Sequence, residues 1–181
     1  MAVLRIYPAS VVSGNGFTTT ELANVLGNTT GYATHTSSQA AGTSLGGTFT
    51  FPFSSLPSNL ASVTNISAGV LAKANQNAGR RGYSFEVYNG STICFKTEAS
   101  GSFGNLTTTD TTVTTDTTGA SVFNTNVALW RNDSMQVNYT FIALGGADGA
   151  VTTYWDKFWL DITYTEAVVT TPNLFYMGEN F

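Results

Sequence analysis

Few side chains in this 181-residue chain are of a type that carries reaction chemistry, and they are scattered. His35 is the single histidine, in Tyr32-Ala33-Thr34-His35-Thr36-Ser37. A serine nucleophile needs a positioned base; only His35 could serve, and no Gly-x-Ser-x-Gly elbow accompanies it. Cys94 is the single cysteine, so no internal disulfide can form. It falls on a polar-facing strand position without a nearby thiol, which suits a partly buried structural residue better than a nucleophile. Zinc needs several Cys or His ligands, and the chain holds two such residues in all. Calcium needs clustered oxygens. Asp110 with Asp116, and Asp148 within Gly145-Gly146-Ala147-Asp148-Gly149, are the candidates, but neither follows an EF-hand pattern. The glycine run is expected to be a turn, since no Lys follows it as in a phosphate loop. Any fold could bring two of the eleven acids together as a glycosidase pair, but no spacing points to one. The expectation is therefore a protein without catalytic residues, metal or cofactor.

Recognition chemistry is better supplied. Trp130, Trp155 and Trp159 are amphipathic anchors of the kind enriched at interfaces. Trp159 alternates with Phe158, Leu160, Ile162 and Tyr164, and Trp155 shares its parity. If the even positions face the core, Trp155 and Trp159 look outward, to lie under a neighbouring loop, at a subunit interface or in a glycan site. A second candidate is the segment after Glu166. Ala167 to Phe181 carries Leu174, Phe175, Tyr176, Met177 and Phe181, an adhesive set if left exposed. It is expected to act as an extended arm that packs on its own domain or docks on another subunit. Partner-binding is thus assigned to Trp155, Trp159, Leu174, Phe175, Tyr176, Met177 and Phe181.

Composition narrows the partners. The chain has 30 Thr, 16 Ser and 15 Asn, a third of its length, yet only 10% charged residues and a net charge of −4. A globular domain is typically about 25% charged. Seven scattered basic residues give no electrostatic footprint for nucleic acid and no polybasic membrane patch. No run of 18 apolar residues suggests a membrane-spanning helix, and the apolar stretch at Met1 to Pro8 is short for a signal peptide. Six Asn-x-Ser/Thr sequons occur, little above what this composition produces by chance, and without a secretion signal they are expected to be bare. With 42% hydrophobic residues the chain is too apolar for disorder and long enough to bury a core as one domain.

The elements that must carry these residues are mostly strands. Phe49, Phe51 and Phe53 share one face, and Pro52 ends that strand or marks an edge or bulge. Ala61 to Lys73 is a long segment with Ile66, Ala68, Val70 and Ala72 in phase. Met135 to Ala143 and Phe158 to Thr165 alternate in the same way, each with one wet face as in antiparallel sheets. Around Asn89-Gly90, a two-residue loop would put Ile93 and Phe95 opposite Phe85 and Val87. A bulged three-residue loop with Gly90 in the left-handed region unites Tyr83, Phe85, Val87, Ile93 and Phe95 on one face. Thr18 and Glu21 form a capping box for one short helix near residues 19–26, with Leu22, Val25 and Leu26 as its stripe and Gly27 at its C′ position. Thr107 to Thr118 holds nine Thr in twelve positions and reads as a solvent-facing hairpin or loop, or as a contact surface. The predicted architecture is an all-β antiparallel sandwich, jelly-roll-like, over residues 1–166, followed by the arm at 167–181.

In this pattern the chain resembles the β-sandwich proteins of tailed-bacteriophage virions, the capsid decoration (cement) proteins and related tail modules. The likeness rests on the loop and small helix of Phe17 to Gly27, the phenylalanine strand leading to Leu56-Pro57 and the long strand Val63 to Lys73. The following hairpin and the closing strand Trp159-Leu160-Asp161-Ile162-Thr163-Tyr164-Thr165 complete it. The resemblance implies a non-enzymatic structural role, made in a host cytoplasm and located on the virion. Such proteins tie adjacent major capsid proteins together, commonly as homotrimers. A tail or fibre component with a glycan-binding surface is the alternative, and a polysaccharide depolymerase a further one. The segment after Glu166 is not part of the shared pattern.

Overall fold

The computed structural model describes residues 1–28, 31–37, 43–75, 81–99, 107–115, 120–143 and 151–168. Eleven strands are described: β1 (Ala2–Ile6), β2 (Ser10–Asn15), β3 (Ala33–Ser37), β4 (Thr43–Thr50), β5 (Leu60–Ala74), β6 (Arg81–Asn89), β7 (Thr92–Ala99), β8 (Thr111–Thr115), β9 (Ala120–Phe123), β10 (Gln136–Ala143) and β11 (Val151–Glu166). A five-stranded sheet has the order β1-β11-β5-β8, with β3 also paired to β11. A six-stranded sheet has the order β2-β4-β10-β6-β7-β9. The named strand pairings are antiparallel. From β1 to β6 the chain alternates between the sheets, so neighbours in sequence face one another across the core. This is the antiparallel, jelly-roll-like β-sandwich that the periodicity predicts.

The core is aromatic. Tyr139 on β10 is fully buried and touches Phe85 at 4.4 Å, Phe158 at 4.6 Å, Phe49 at 5.8 Å and Phe51 at 6.3 Å between ring centroids. Its hydroxyl donates to the Trp159 carbonyl across the two sheets at 3.5 Å. Burial holds this phenol well above its ordinary pKa, so it stays neutral and a donor. Each ring buries roughly 150–250 Å², and edge-on contacts add specificity that an aliphatic core lacks.

The helix α1 (Thr19–Ala23) starts at the expected capping box: Thr18 Oγ1 accepts from Glu21 N, and Glu21 Oε2 accepts from Thr18 N at 2.7 Å. It ends three residues sooner than the stripe predicts. Asn24, Val25 and Leu26 continue as tight turns whose N–H groups donate to Glu21, Leu22 and Ala23. Leu22 and Val25 are still buried, so the apolar spacing located the packed face although the regular helix is shorter.

The β6–β7 hairpin also departs in detail. Phe85, Val87 and Phe95 do share the buried face, and Gly90 does take a positive φ of 59°. However, the turn is the two-residue Gly90-Ser91, since Asn89 pairs with Thr92. Parity is restored by a bulge at Cys94, between the pairs Tyr88–Ile93 and Val87–Phe95. Cys94 is consequently buried beside Phe95 rather than placed on the polar face, and burial pushes its thiol pKa up.

Candidate functional site

The outer face of the five-stranded sheet collects most of the recognition chemistry. Its spine is β5 and β11, paired from Leu60–Glu166 to Ala74–Thr153. Antiparallel register puts Asn65, Ser67, Gly69, Leu71 and Lys73 of β5 beside Thr163, Asp161, Trp159, Lys157 and Tyr154 of β11. Val3 and Arg5 extend the row on β1, and exposed Thr112 and Thr114 extend it on β8. The Thr-rich tract is therefore, over Thr111–Thr115, an edge strand. Its solvent-facing character holds, and β-branched Thr suits such an edge.

Trp159 lies at the centre of this face. It is on the side opposite Phe158, Leu160 and Ile162, as alternation requires, but it is only 7% exposed. Gly69 makes room for it: a Cβ there would stand 2.2 Å from Trp159 Cε2. The Arg5 guanidinium lies 4.9 Å from the ring centroid and is itself fixed by Asp161. Arg5 Nε and Nη2 reach the two Asp161 oxygens at 2.7 and 2.6 Å, a bidentate fork. Hydrogen bonding to Asp161 raises the Arg5 pKa above its ordinary value. Trp159 Nε1 is buried without a hydrogen-bond partner among the described residues.

Trp155 is a correction. A bulge at Asp156, between the pairs Trp155–Ala72 and Lys157–Leu71, breaks the parity that would link it to Trp159. Trp155 turns inward, 3% exposed, edge-on to Phe17 at 6.5 Å. Its Nε1 donates to Thr153 Oγ1 at 3.2 Å. Asp156, the extra residue, is buried and accepts from Gly31 N at 3.2 Å. Trp130 belongs to the core as well, packed between Phe53 and Phe123 with Nε1 donating to the Asn124 carbonyl at 2.8 Å.

Beyond the bulge, the same outer face carries a cluster with no short-range sequence signal. Tyr32 and Tyr154 meet edge-on at 5.9 Å. Lys73 Nζ sits 4.3 Å from the Tyr32 ring centroid and 5.9 Å from that of Tyr154. It donates to the Tyr32 hydroxyl at 2.9 Å, and that hydroxyl donates to Asp110 at 2.9 Å. Lys73 and Asp110 are 3.7 Å apart. Hydrogen bonding to Tyr32 raises the Lys73 pKa against the opposing effect of burial, and Asp110 adds to the rise. The four residues come from four separate segments, which is why sequence spacing did not unite them.

The other sheet has its own charged group. Lys96 Nζ lies 2.8 Å from Glu86 Oε1, and the Tyr88 hydroxyl donates to Glu86 Oε2. Burial would raise the Glu86 pKa, but hydrogen bonds from Lys96 and Tyr88 outweigh it and leave the carboxyl below its ordinary value. Burial, aided by Glu86, pushes Tyr88 up to about 12.

The remaining expected positions are placed as follows. His35 lies in β3, where its backbone pairs with Thr153 of β11. Asp110 serves the Tyr32–Lys73 cluster. Asp116, Asp148 and the Gly145 to Gly149 run lie outside the described residues, as do Leu174, Phe175, Tyr176, Met177 and Phe181. Among the described residues no three His, Cys, Asp or Glu side chains form a group that could hold a metal ion. No helix among them is long and apolar enough to cross a membrane.

No family model matches the chain, and no curated protein matches it in sequence. Solved structures do resemble it. A cyclase from Fischerella sp. TAU aligns at 16% identity and a TM-score of 0.40, over 71% of this chain and 61% of that one. The chain thus spans about three-fifths of that cyclase. A structure described as "CBM4 structure and function" aligns at 16% identity and a TM-score of 0.33, over 75% of each chain. An apo cyclase from Fischerella sp. aligns at 9% identity and a TM-score of 0.37, over 91% of this chain and 98% of that one. The class defined by the strand order is that of antiparallel, jelly-roll-like β-sandwiches.

Proposed function

We propose that the chain is a non-enzymatic structural protein of a bacterial-virus particle, a decoration protein that binds and stabilises the major capsid protein shell and associates with copies of itself as a homotrimer. The observation that carries this reading is how charge is arranged on the outer face of the five-stranded sheet. Arg5 is paired with Asp161, and Lys73 with Asp110, among the hydroxyl and amide groups of Asn65, Ser67, Thr112, Thr114 and Thr163. Such a face forms hydrogen bonds with a neighbour and depends little on salt, because Arg5 and Lys73 are cancelled locally and Lys157, beside Leu71, is the cation of the row without an ion pair among the described residues. Its spine is two long strands, 15 and 16 residues, fixed to an aromatic core, so it is rigid before contact and loses little entropy on docking. Synthesis in a host cytoplasm and residence on the virion belong to the same proposal.

The test is reconstitution. Purified protein added to capsids lacking it is expected to bind at stoichiometry set by the capsid lattice and to raise the temperature at which the shells open. Absence of binding at micromolar protein would end the proposal.

A second reading, a tail or fibre component with a glycan-binding surface, is favoured by one observation: partly exposed Tyr32 and Tyr154 stand beside the polar groups of Lys73 and Asp110. It moves the expected platform away from the two buried tryptophans. It predicts sugar binding that Tyr154→Ala abolishes.

A further inference from the structure

The chain holds two Asn-Gly pairs, Asn15-Gly16 and Asn89-Gly90. Their backbones are alike. Asn15 is the last residue of β2 and Asn89 the last of β6, and the glycine after each takes a positive φ, 79° at Gly16 and 59° at Gly90. Asn15 pairs with Gly46, and Asn89 with Thr92. Their side chains differ. The half-buried Asn89 carboxamide is held at both ends: Nδ2 donates to the Leu129 carbonyl at 3.1 Å, and Oδ1 accepts from Asn132 Nδ2 at 3.2 Å. Asn15 is exposed, and its carboxamide has no hydrogen-bond partner among the described residues.

An Asn-Gly pair is chemically weak because glycine has no Cβ to keep its amide nitrogen away from the preceding side chain. That nitrogen attacks Asn Cγ and closes a succinimide ring. Nδ2 leaves as ammonia, carrying the proton of the glycine N–H. Water then opens the ring at either carbonyl and gives aspartate or isoaspartate. We propose that Asn15-Gly16 is a spontaneous deamidation site of the folded protein, and that the contacts with Leu129 and Asn132 protect Asn89-Gly90 from the same reaction. A tied carboxamide turns toward the next nitrogen only after both hydrogen bonds open. Two bonds of ordinary net strength slow that step about tenfold or more. Modification at Asn15 also reaches the core. Gly14 lies so close to the Phe17 carbonyl that a Cβ there would stand 2.0 Å from its oxygen, so the turn around Asn15 has no slack. Isoaspartate routes the backbone through the side chain and lengthens it there, two residues before Phe17, which is buried edge-on to Trp155.

Peptide mass spectrometry of the full chain, kept folded at mildly alkaline pH, tests the assignment. Aspartate and isoaspartate are expected to accumulate at position 15 about tenfold or more faster than at position 89. In denaturant both pairs lose their surroundings, and the two rates should converge. Asn132→Ala should speed the reaction at position 89 about fivefold and leave position 15 unchanged. The isoaspartate form should melt below Asn15→Asp, which adds the charge without lengthening the backbone. Equal rates at the two pairs in the folded protein would overturn the proposal, because the contacts would then not protect Asn89. So would a rate difference that persists in denaturant, because neighbouring sequence would then set it, or a rate at position 89 that Asn132→Ala leaves unchanged. An isoaspartate form as stable as Asn15→Asp would overturn the link to the core.

Discussion

Trp155 and Trp159 are four positions apart on β11, and both indoles are shielded from water, but they are held in different ways. Trp155 is part of the core. It packs edge-on to Phe17 and has its N–H bonded to Thr153. Trp159 lies on the opposite face of the sheet, over the position of Gly69 on the paired strand, with Arg5 near its ring and its N–H without a hydrogen-bond partner among the described residues. The first is secured by core packing against Phe17 and by a bonded N–H. The second depends on one missing Cβ and on an ion pair between a half-exposed arginine and Asp161, with side-chain exposures of 49% and 22%. One extra residue, Asp156, separates the two environments. A bulge in a long strand can thus serve as a divider between a part that builds the core and a part that builds a surface.

Three substitutions can break or sharpen that contrast. The largest effect is expected from Trp155→Ala, which leaves a cavity in a close-packed core and should cost about 3–5 kcal/mol of unfolding free energy. Trp159→Ala should cost less, measured by the same denaturant titration. Equal losses would mean that the outer indole is as much core as the inner one. Next comes Gly69→Ala. Its new methyl would displace the indole, since the Cβ position is 2.2 Å from Trp159 Cε2. Overpacking of this kind costs about 1–3 kcal/mol, and the tryptophan emission should shift to the red as Trp159 meets water. An unchanged spectrum with unchanged stability would contradict the placement.

The smallest effect concerns the other sheet and appears only with pH. Glu86 is held below its ordinary carboxyl pKa by Lys96 and Tyr88, against burial. Its contribution is therefore fully present above the unfolded-state carboxyl pKa and is lost as pH falls through the lower folded value. The melting temperatures of the parent and of Glu86→Gln should differ most near neutrality and converge on acidification. A gap that widened in acid would reverse the assigned direction.

Much of the fold was readable from local pattern. The faces of Ile66, Ala68, Val70 and Ala72, and of Phe158, Leu160 and Ile162 follow from strand period alone, because a half-buried strand must alternate; Phe49, Phe51 and Phe53 are all buried as expected, but β4 ends at Thr50 and Phe53 opens a 3-10 helix, Phe53–Ser55. The Thr18–Glu21 capping box was visible since its partners are three residues apart. Cys94 and Trp155 were misplaced for one shared reason. Parity counting assumes an unbroken ladder, and each residue stands at a bulge whose position depends on the partner strand. The Tyr32–Lys73–Asp110–Tyr154 cluster was invisible in the sequence, since its members lie on four segments joined only by sheet pairing. Arg5 and Asp161, 156 residues apart, met for the same reason.

The sequence by itself determined that this protein is built of strands with one apolar face, and that its polarity is mostly uncharged Thr, Ser and Asn. Those properties are set by composition and short-range spacing, which no partner strand can alter. Only the tertiary structure decided which of the scarce charges cancel one another, which tryptophans face the core and where a cleft opens beside the end of β11. Those outcomes depend on register between distant strands, and register is fixed by the packing of the whole core.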